Sequence, residues 1–285
     1  MSHHAYSTLR FNSWKDYKQF SGELSDNWAF RGQLNDQWDL RNAIERSDFI
    51  QLHKTIEAGF VAEFQRGARN YLQKDDLPEH LIEWLALMQH HGAPTRLLDF
   101  TKSPFIAAYF AFEQCYLYEH SFTAIWAINV QFLKTKAFEE LKGEFGEEFK
   151  KSNNLITEYL FEKIFHQNDK SIIFPVEPFR MNRRYSLQQS IFVSTGISSV
   201  PFMNQLDFLG SEISKAVIKI ELPAALHKEV LRDLQRMNLN RASLFPDLDG
   251  YAASLRLRYN SLKTAEENIL KQLQMLDGEQ FDFLP

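Results

Sequence analysis

The sequence predicts an α+β domain: one modest mixed sheet, a helix-rich shell around it and a long helix at the C-terminal end. Three observations lead there. Apolar residues recur at helical spacing in several long segments, while short runs rich in β-branched and aromatic residues read as strands. No internal repeat, low-complexity tract or Pro/Gly/Ser linker interrupts them, so residues 1–285 read as a single domain with its motif-bearing core at about 28–250.

In chain order, Ser13 is placed to cap a short helix through Phe20. Trp28–Gln33 reads as a strand that ends at the turn-prone pair Asn35-Asp36. From Asp48 to Leu72 the residues Phe49, Leu52, Ile56, Phe60, Phe64 and Ala68 keep helical spacing. Pro78 at a first helical position starts another helix, with Leu81, Leu85 and Met88 on one face and Gly92 past its end. Ser103 and Pro104 supply the cap and first position of a nearly all-apolar helix to about Leu117.

Phe122–Val130 is β-branched and aromatic, a buried strand. Charged helices are expected over 135–151 and 154–167, the first weakened by Gly143 and Gly146. Short strands are expected at 171–174, 190–195 and 215–222, with a helix over 223–237 after the last. A final helix, about 250–277, carries Leu255, Leu262, Ile269 and Leu276 seven residues apart. Three heptads are few for a free coiled coil, which favours docking on the parent domain; a homodimer through this helix is the alternative.

Composition narrows the function classes. A hydrophobic content of 44% and a charged content of 24% are those of a soluble globular protein. The 25 phenylalanines point to a bulky core, because Phe lacks the polar handle that recognition surfaces favour. A net charge of −5 argues against broad capture of nucleic acid or of an anionic membrane, but leaves room for a local basic pocket. The longest strongly apolar run, Phe105–Phe112, is too short to span a bilayer, and the N-terminus lacks a secretory pattern. A cytoplasmic protein without membrane contact is expected. Cys115, the single cysteine, allows no intrachain disulfide and no cysteine-based metal site, and its apolar neighbours make it a buried, inert thiol.

The densest polar chemistry lies in Met88–Ala111, where two histidines, an arginine, an aspartate and two threonines sit between two apolar stretches. Such groups are expensive to bury unless they pair or meet a ligand. Gln89, His90 and His91 occupy the last helical turn before Gly92. Adjacent histidines on a helix point about 100° apart, so they do not share one metal. No zinc spacing is present and no metal is expected. Pro94 turns the chain, and Thr95-Arg96-Leu97-Leu98-Asp99 starts afresh; if helical, Arg96 and Asp99 are placed to bridge each other.

Elsewhere, Phe30-Arg31-Gly32 on a strand puts Arg31 on the face opposite its neighbours, while Gly32 admits a ligand or another backbone. An arginine in a cleft suits phosphate or carboxylate; one paired with a structural acid is the plainer alternative. Arg180, Arg183 and Arg184 precede Gln188 and Gln189 in a basic patch, read either as solvated surface or as a phosphate receiver. The strand that follows delivers Ser194 and Thr195 to its end. In Leu244–Gly250, two carboxylates beside a proline and a glycine read as a turn capping the last helix rather than as a Mg²⁺ site.

At these residues the chain resembles the FRG domain family, named for its Phe/Tyr-Arg-Gly motif. The resemblance is carried by Phe30-Arg31-Gly32-Gln33, the block Met88–Thr101, the helix Ser103–Ala111, Gln188-Gln189 before Phe192, and Leu244–Gly250. His91 stands where the family is expected to show an aromatic, and Phe100 where Trp is usual. The resemblance implies a bacterial or phage setting, and with it a defence or toxin role.

Two classes of function follow as expectations. The first is a nucleotide- or NAD-directed enzyme, because Arg31 followed much later by Ser194-Thr195 is similar to the arginine, Ser-Thr, glutamate series of ADP-ribosyltransferases. Arg31, His90 and Asp99 are its catalytic candidates, with Glu212 and Glu221 as acids that suit that order better; no Glu-x-Glu pair is present. Gln33, Thr95, Arg96, Thr101, Arg184, Gln189 and Ser194 are its ligand-binding candidates, and NAD its candidate substrate. A phosphodiester-cleaving nuclease is a variant of the same class. The second is a non-catalytic module for a small anionic ligand, a protein or a nucleic-acid target.

Overall fold

A computed structural model describes residues 6–49, 55–115, 121–151, 158–180 and 182–255. Its strands are β1 (Ser7–Arg10), β2 (Trp28–Gln33), β3 (Leu97–Thr101), β4 (Phe122–Asn129), β5 (Ile173–Val176), β6 (Ser190–Thr195) and β7 (Val217–Pro223). They form one mixed sheet in the order β1-β7-β4-β2-β3-β6-β5, with β1 parallel to β7 and every other pair antiparallel. The helices are α1 (Trp14–Glu23), α2 (Ala43–Arg46), α3 (Ile56–Ala68), α4 (Leu81–His90), α5 (Pro104–Phe112), α6 (Val130–Lys151), α7 (Glu158–Gln167), α8 (Arg183–Leu187), α9 (Phe202–Gln205), α10 (Ile213–Ala216), α11 (His227–Arg236) and α12 (Arg241–Leu244), and residues 248–255 are also helical. The α+β class is as the sequence predicts. No described helix is long and apolar enough to cross a membrane.

Residues paired across strands share a face, so the register divides the core. Phe30, Ile125, Ala127 and Ile220 meet α1, α5 and α11 through Trp14, Ala107, Phe112 and Leu234. Phe30 pairs with Thr101, which carries the same face along β3 and β6 to Leu97 and Phe192. There α3, α4 and α7 cover the sheet with Val61, Leu85 and Phe161. The opposite face, with Ala29, Leu98, Phe100, Trp126 and Val193, is closed by α6, α9 and α10. Two helical clusters thus stand side by side on one face, and β2 and β3 run beneath the seam between them.

Ser103 accepts from Ile106 N at 3.3 Å and Pro104 opens α5, as its sequence signature indicates. The strands at 7–10 and 97–101 add to those expected. The block after Pro94 is strand rather than helix, so Arg96 and Asp99 do not form the internal bridge that a helix would allow. The Asp48–Leu72 helix is shorter than its periodicity indicates. Asp48 takes φ 57°, which ends the chain's helical path after α2, and α3 begins at Ile56. Helix α4 starts at Leu81 rather than beside Pro78, because the Glu83 carboxylate accepts from Glu79 N (2.9 Å) and His80 N (3.4 Å). Helix α6 is continuous in trace but kinked at Phe145, between the two glycines that weaken it. The heptads beyond residue 255, and with them most of the 250–277 helix and the homodimer expected through it, lie outside the described residues.

Candidate functional site

Strands β2 and β3 pair only at Phe30 and Thr101, whereas β2 pairs with β4 over its whole length. Beyond that bridge the two strands part, and a cleft of about 770 Å³ opens in the divergence. Gly32 sets one wall. A Cβ there would lie 1.9 Å from Ala107 O and 2.6 Å from Ala111 N, so α5 presses directly on the strand backbone. Of the two readings of this glycine, the second backbone is the one observed.

Arg31 points to the other side of β2 and enters the gap. Its Nη1 donates to the Asp99 carbonyl at 2.7 Å, satisfying an oxygen that β2 would otherwise pair. Its Nε is buried and has no hydrogen-bond partner. Burial lowers the guanidinium to about 10, with Asp99 raising it and Arg46 lowering it further, so the group stays charged at neutral pH. Gln33, two residues on, donates to Asp39 O (3.1 Å) and accepts from Trp126 Nε1 (2.8 Å), which ties the following loop to the sheet. Asn42 caps α2 through Glu45 N, and this turn carries Trp38, Asp39, Arg41 and Arg46 along the rim. None of these rim residues was singled out from the sequence. Their only local signal is the cap at Asn42 after a turn.

The far wall comes from α4 and α8. Asn182 caps α8 by accepting from Tyr185 N at 2.8 Å. Arg184 and Gln188, four residues apart, then face the cleft together. His90, in the last turn of α4, has a buried Nδ1 without a partner. Burial holds its pKa below the ordinary 6.5, helped by His91 and Arg184 and opposed by Asp247. The ring is neutral at pH 7. Asp99, half-buried on β3, faces the cleft from the floor, and its carboxylate oxygens accept no hydrogen bond among the described residues.

Of the ten residues singled out, Arg31, Gln33, His90, Asp99, Thr101 and Arg184 line this one cleft. The Thr101 hydroxyl is already committed, donating to Gln188 O at 2.7 Å. The other four stand apart. Arg96 is 2% exposed and paired to Glu57 Oε2 at 2.6 Å beneath α3. Thr95 is buried and donates to Gln89 Oε1 at 2.6 Å. Ser194 is buried on β6 and donates to Thr195 O at 3.2 Å. Gln189 is exposed with φ 48°, turning the chain out of α8, and the cleft is lined instead by Gln188, whose Nε2 donates to Leu244 O at 3.0 Å. Glu212 pairs with Lys136 (2.6 Å) and Lys215 (3.0 Å), and Glu221 with Arg10 (2.6 Å), none of them at the cleft. The arginine, Ser-Thr, glutamate series therefore does not assemble in one place.

The basic patch also divides: Arg180 pairs with Glu79, Arg183 is exposed, and only Arg184 enters the cleft. At 244–250 the cap is Asp247, whose Oδ1 accepts from Gly250 N at 2.6 Å, at the start of a helix over 248–255. Cys115 is buried, and burial pushes its thiol up to about 12. Among the described residues no group of three His, Cys, Asp or Glu is placed to hold a metal ion.

Residues 26–118 match the FRG domain family model, a stretch that includes β2, α4, β3 and α5 and therefore the floor and two walls of the cleft. The chain carries an FRG domain. No curated protein and no solved structure matches the chain. The rest of the cleft lining, Arg184, Tyr185 and Gln188 from α8 and its end and Ser190 of β6, lies beyond the matched FRG stretch.

Proposed function

We propose that this FRG protein is a nucleotide-directed enzyme whose cleft seats a phosphate-bearing substrate, NAD or a relative, on Arg31, Arg46 and Arg184. One observation carries the reading. Among the described residues five buried polar side-chain atoms lack a partner, and three of them, Arg31 Nε, His90 Nδ1 and Arg184 Nε, belong to residues lining this cleft. A buried donor left unmet costs about 1–3 kcal/mol, more when charged. Arg31 also feels the like charge of Arg46. A phosphate accepting from both relieves the two penalties together. Trp38, 50% exposed at the rim, offers a ring face to a base.

Asp99 is the acid of this site. With NAD, the bond from ribose C1′ to the nicotinamide nitrogen breaks and its electron pair leaves with nicotinamide. The carboxylate stabilises the positive charge that develops on the ribose. Water or an acceptor hydroxyl then attacks C1′, and neutral His90 is suited to take its proton. A bacterial or phage effector acting on such a substrate would deplete it in the host cell.

Purified full-length protein is assayed for NAD consumption, with ADP binding followed by calorimetry. Asp99→Asn is expected to bind ADP within about threefold of wild type and to lose roughly 100-fold or more in turnover. Wild type that neither binds nucleotide nor consumes NAD removes this reading. Binding with no turnover of any nucleotide points instead to a non-catalytic anion-recognition module, and cleavage of RNA or DNA to a phosphodiester-cutting enzyme.

A further inference from the structure

The motif Leu244–Gly250 lies outside the matched FRG stretch, yet it meets the cleft through one ring. The guanidinium carbon of Arg184 sits 4.4 Å from the Phe245 ring centroid, and that of Arg241 sits 4.4 Å from the same centroid. Arg241 has an acid of its own: its Nη1 donates to Glu113 Oε1 at 2.6 Å, an oxygen that also accepts from Tyr109 at 2.7 Å. Arg184 has no ion pair among the described residues, and its buried Nε has no hydrogen bond. What fixes Arg184 is therefore the ring.

The ring is itself held from three sides. Phe110 of α5 meets it edge-on, with centroids 6.0 Å apart. A Cβ on Gly250 would lie 2.4 Å from Phe245 Cβ and 2.3 Å from Phe245 O, so the turn closes tightly over this residue only because Gly250 has no side chain. Just before it, Leu244 O accepts from Gln188 Nε2, one turn beyond Arg184 on the same wall. A guanidinium stacked on an aromatic face keeps its donors free for a ligand while losing its rotamer freedom beforehand.

We propose that Phe245 is the positioning residue that holds Arg184 in the anion cleft, so that the C-terminal turn completes a site whose floor belongs to the FRG stretch. Its effect on affinity rests on the reading of the cleft as a phosphate site; the stacking itself does not. Two measurements separate them. In ¹⁵N-edited spectra of the full chain, the Arg184 Nε–H, assigned by its absence in Arg184→Lys, is expected upfield of arginines that lie over no ring, because of the Phe245 ring current. It moves to the common position in Phe245→Leu and stays upfield in Phe245→Trp. An Arg184 signal unchanged by Phe245→Leu overturns the proposal, whether or not nucleotide binds.

Titration with ADP then tests the consequence. Phe245→Leu is expected to weaken binding about fivefold to tenfold, Phe245→Trp to restore it, and Phe245→Leu to add nothing further once Arg184→Gln is present. Additive losses in that double variant, or full affinity in Phe245→Leu, overturn it. Wild type that binds no phosphate ligand at all overturns the reading of the cleft instead, and the spectra still decide the stacking.

Discussion

Arg96, the residue just before β3, and Arg31, on the neighbouring β2, have opposite fates. Arg96 is buried against an equally buried carboxylate. Glu57 receives its Nε at 2.6 Å and its backbone N–H at 2.8 Å, Gly196 O accepts from Nη1 at 3.2 Å, and the Phe165 ring lies 4.3 Å away. Arg31 meets one backbone carbonyl, keeps a buried N–H without a partner and faces a second arginine. A buried charge paired with an equally buried carboxylate is part of the scaffold. One whose donors are left open, in a cleft with others of its kind, is waiting for something the chain does not supply. The comparison turns on partners, not on depth.

The largest test of that contrast is Glu57→Ala. It leaves Arg96 charged, buried and unanswered, and is expected to lower unfolding free energy by about 3–5 kcal/mol in urea titration. A loss below about 1 kcal/mol would put Arg96 in the same class as Arg31. The converse is Arg31→Met, which keeps an unbranched apolar stem and removes the charge. Stability is expected to change by less than about 1 kcal/mol, because an unsatisfied N–H disappears along with one hydrogen bond. ADP affinity is expected to fall by about tenfold or more. Loss of stability without loss of affinity would make Arg31 a strand-gap filler.

The smallest effect is pH-dependent and concerns His90. Its folded pKa lies below 6.5, so as pH falls through that value the unfolded chain takes up a proton that the native site resists. Stability then declines from pH 6.5 downward until the native ring is also protonated. His90→Gln is expected to flatten this part of the urea-midpoint profile. A profile that keeps its slope in the variant assigns it to another group.

Much of the site was legible as residue types and little of it as geometry. Phe30-Arg31-Gly32, His90, Asp99 and Arg184 stand out because charged and titratable groups beside apolar runs are unusual in any sequence. The signal that separates Arg31 from Arg96 is absent from the chain, since Glu57 lies 39 residues from Arg96 and no local spacing links them. Gln188 and Gln189 are likewise equivalent on paper; the left-handed turn at Gln189 decides which one reaches the cleft. The rim at 38–46 was missed because an exposed Trp and two arginines on a turn carry no periodic pattern.

The amino-acid order alone determined the α+β class, the Ser103-Pro104 helix start, the buried cysteine and the FRG motif itself, because periodicity, caps and apolar runs act over a few residues. The parting of β2 from β3, the unanswered donors in the gap, and the stacking of Arg184 on Phe245 were decided only when segments far apart along the chain met, as Arg31 and Asp99 do across 68 residues. Hydrogen-bond satisfaction is a property of neighbours in space, and no sequence position carries it by itself.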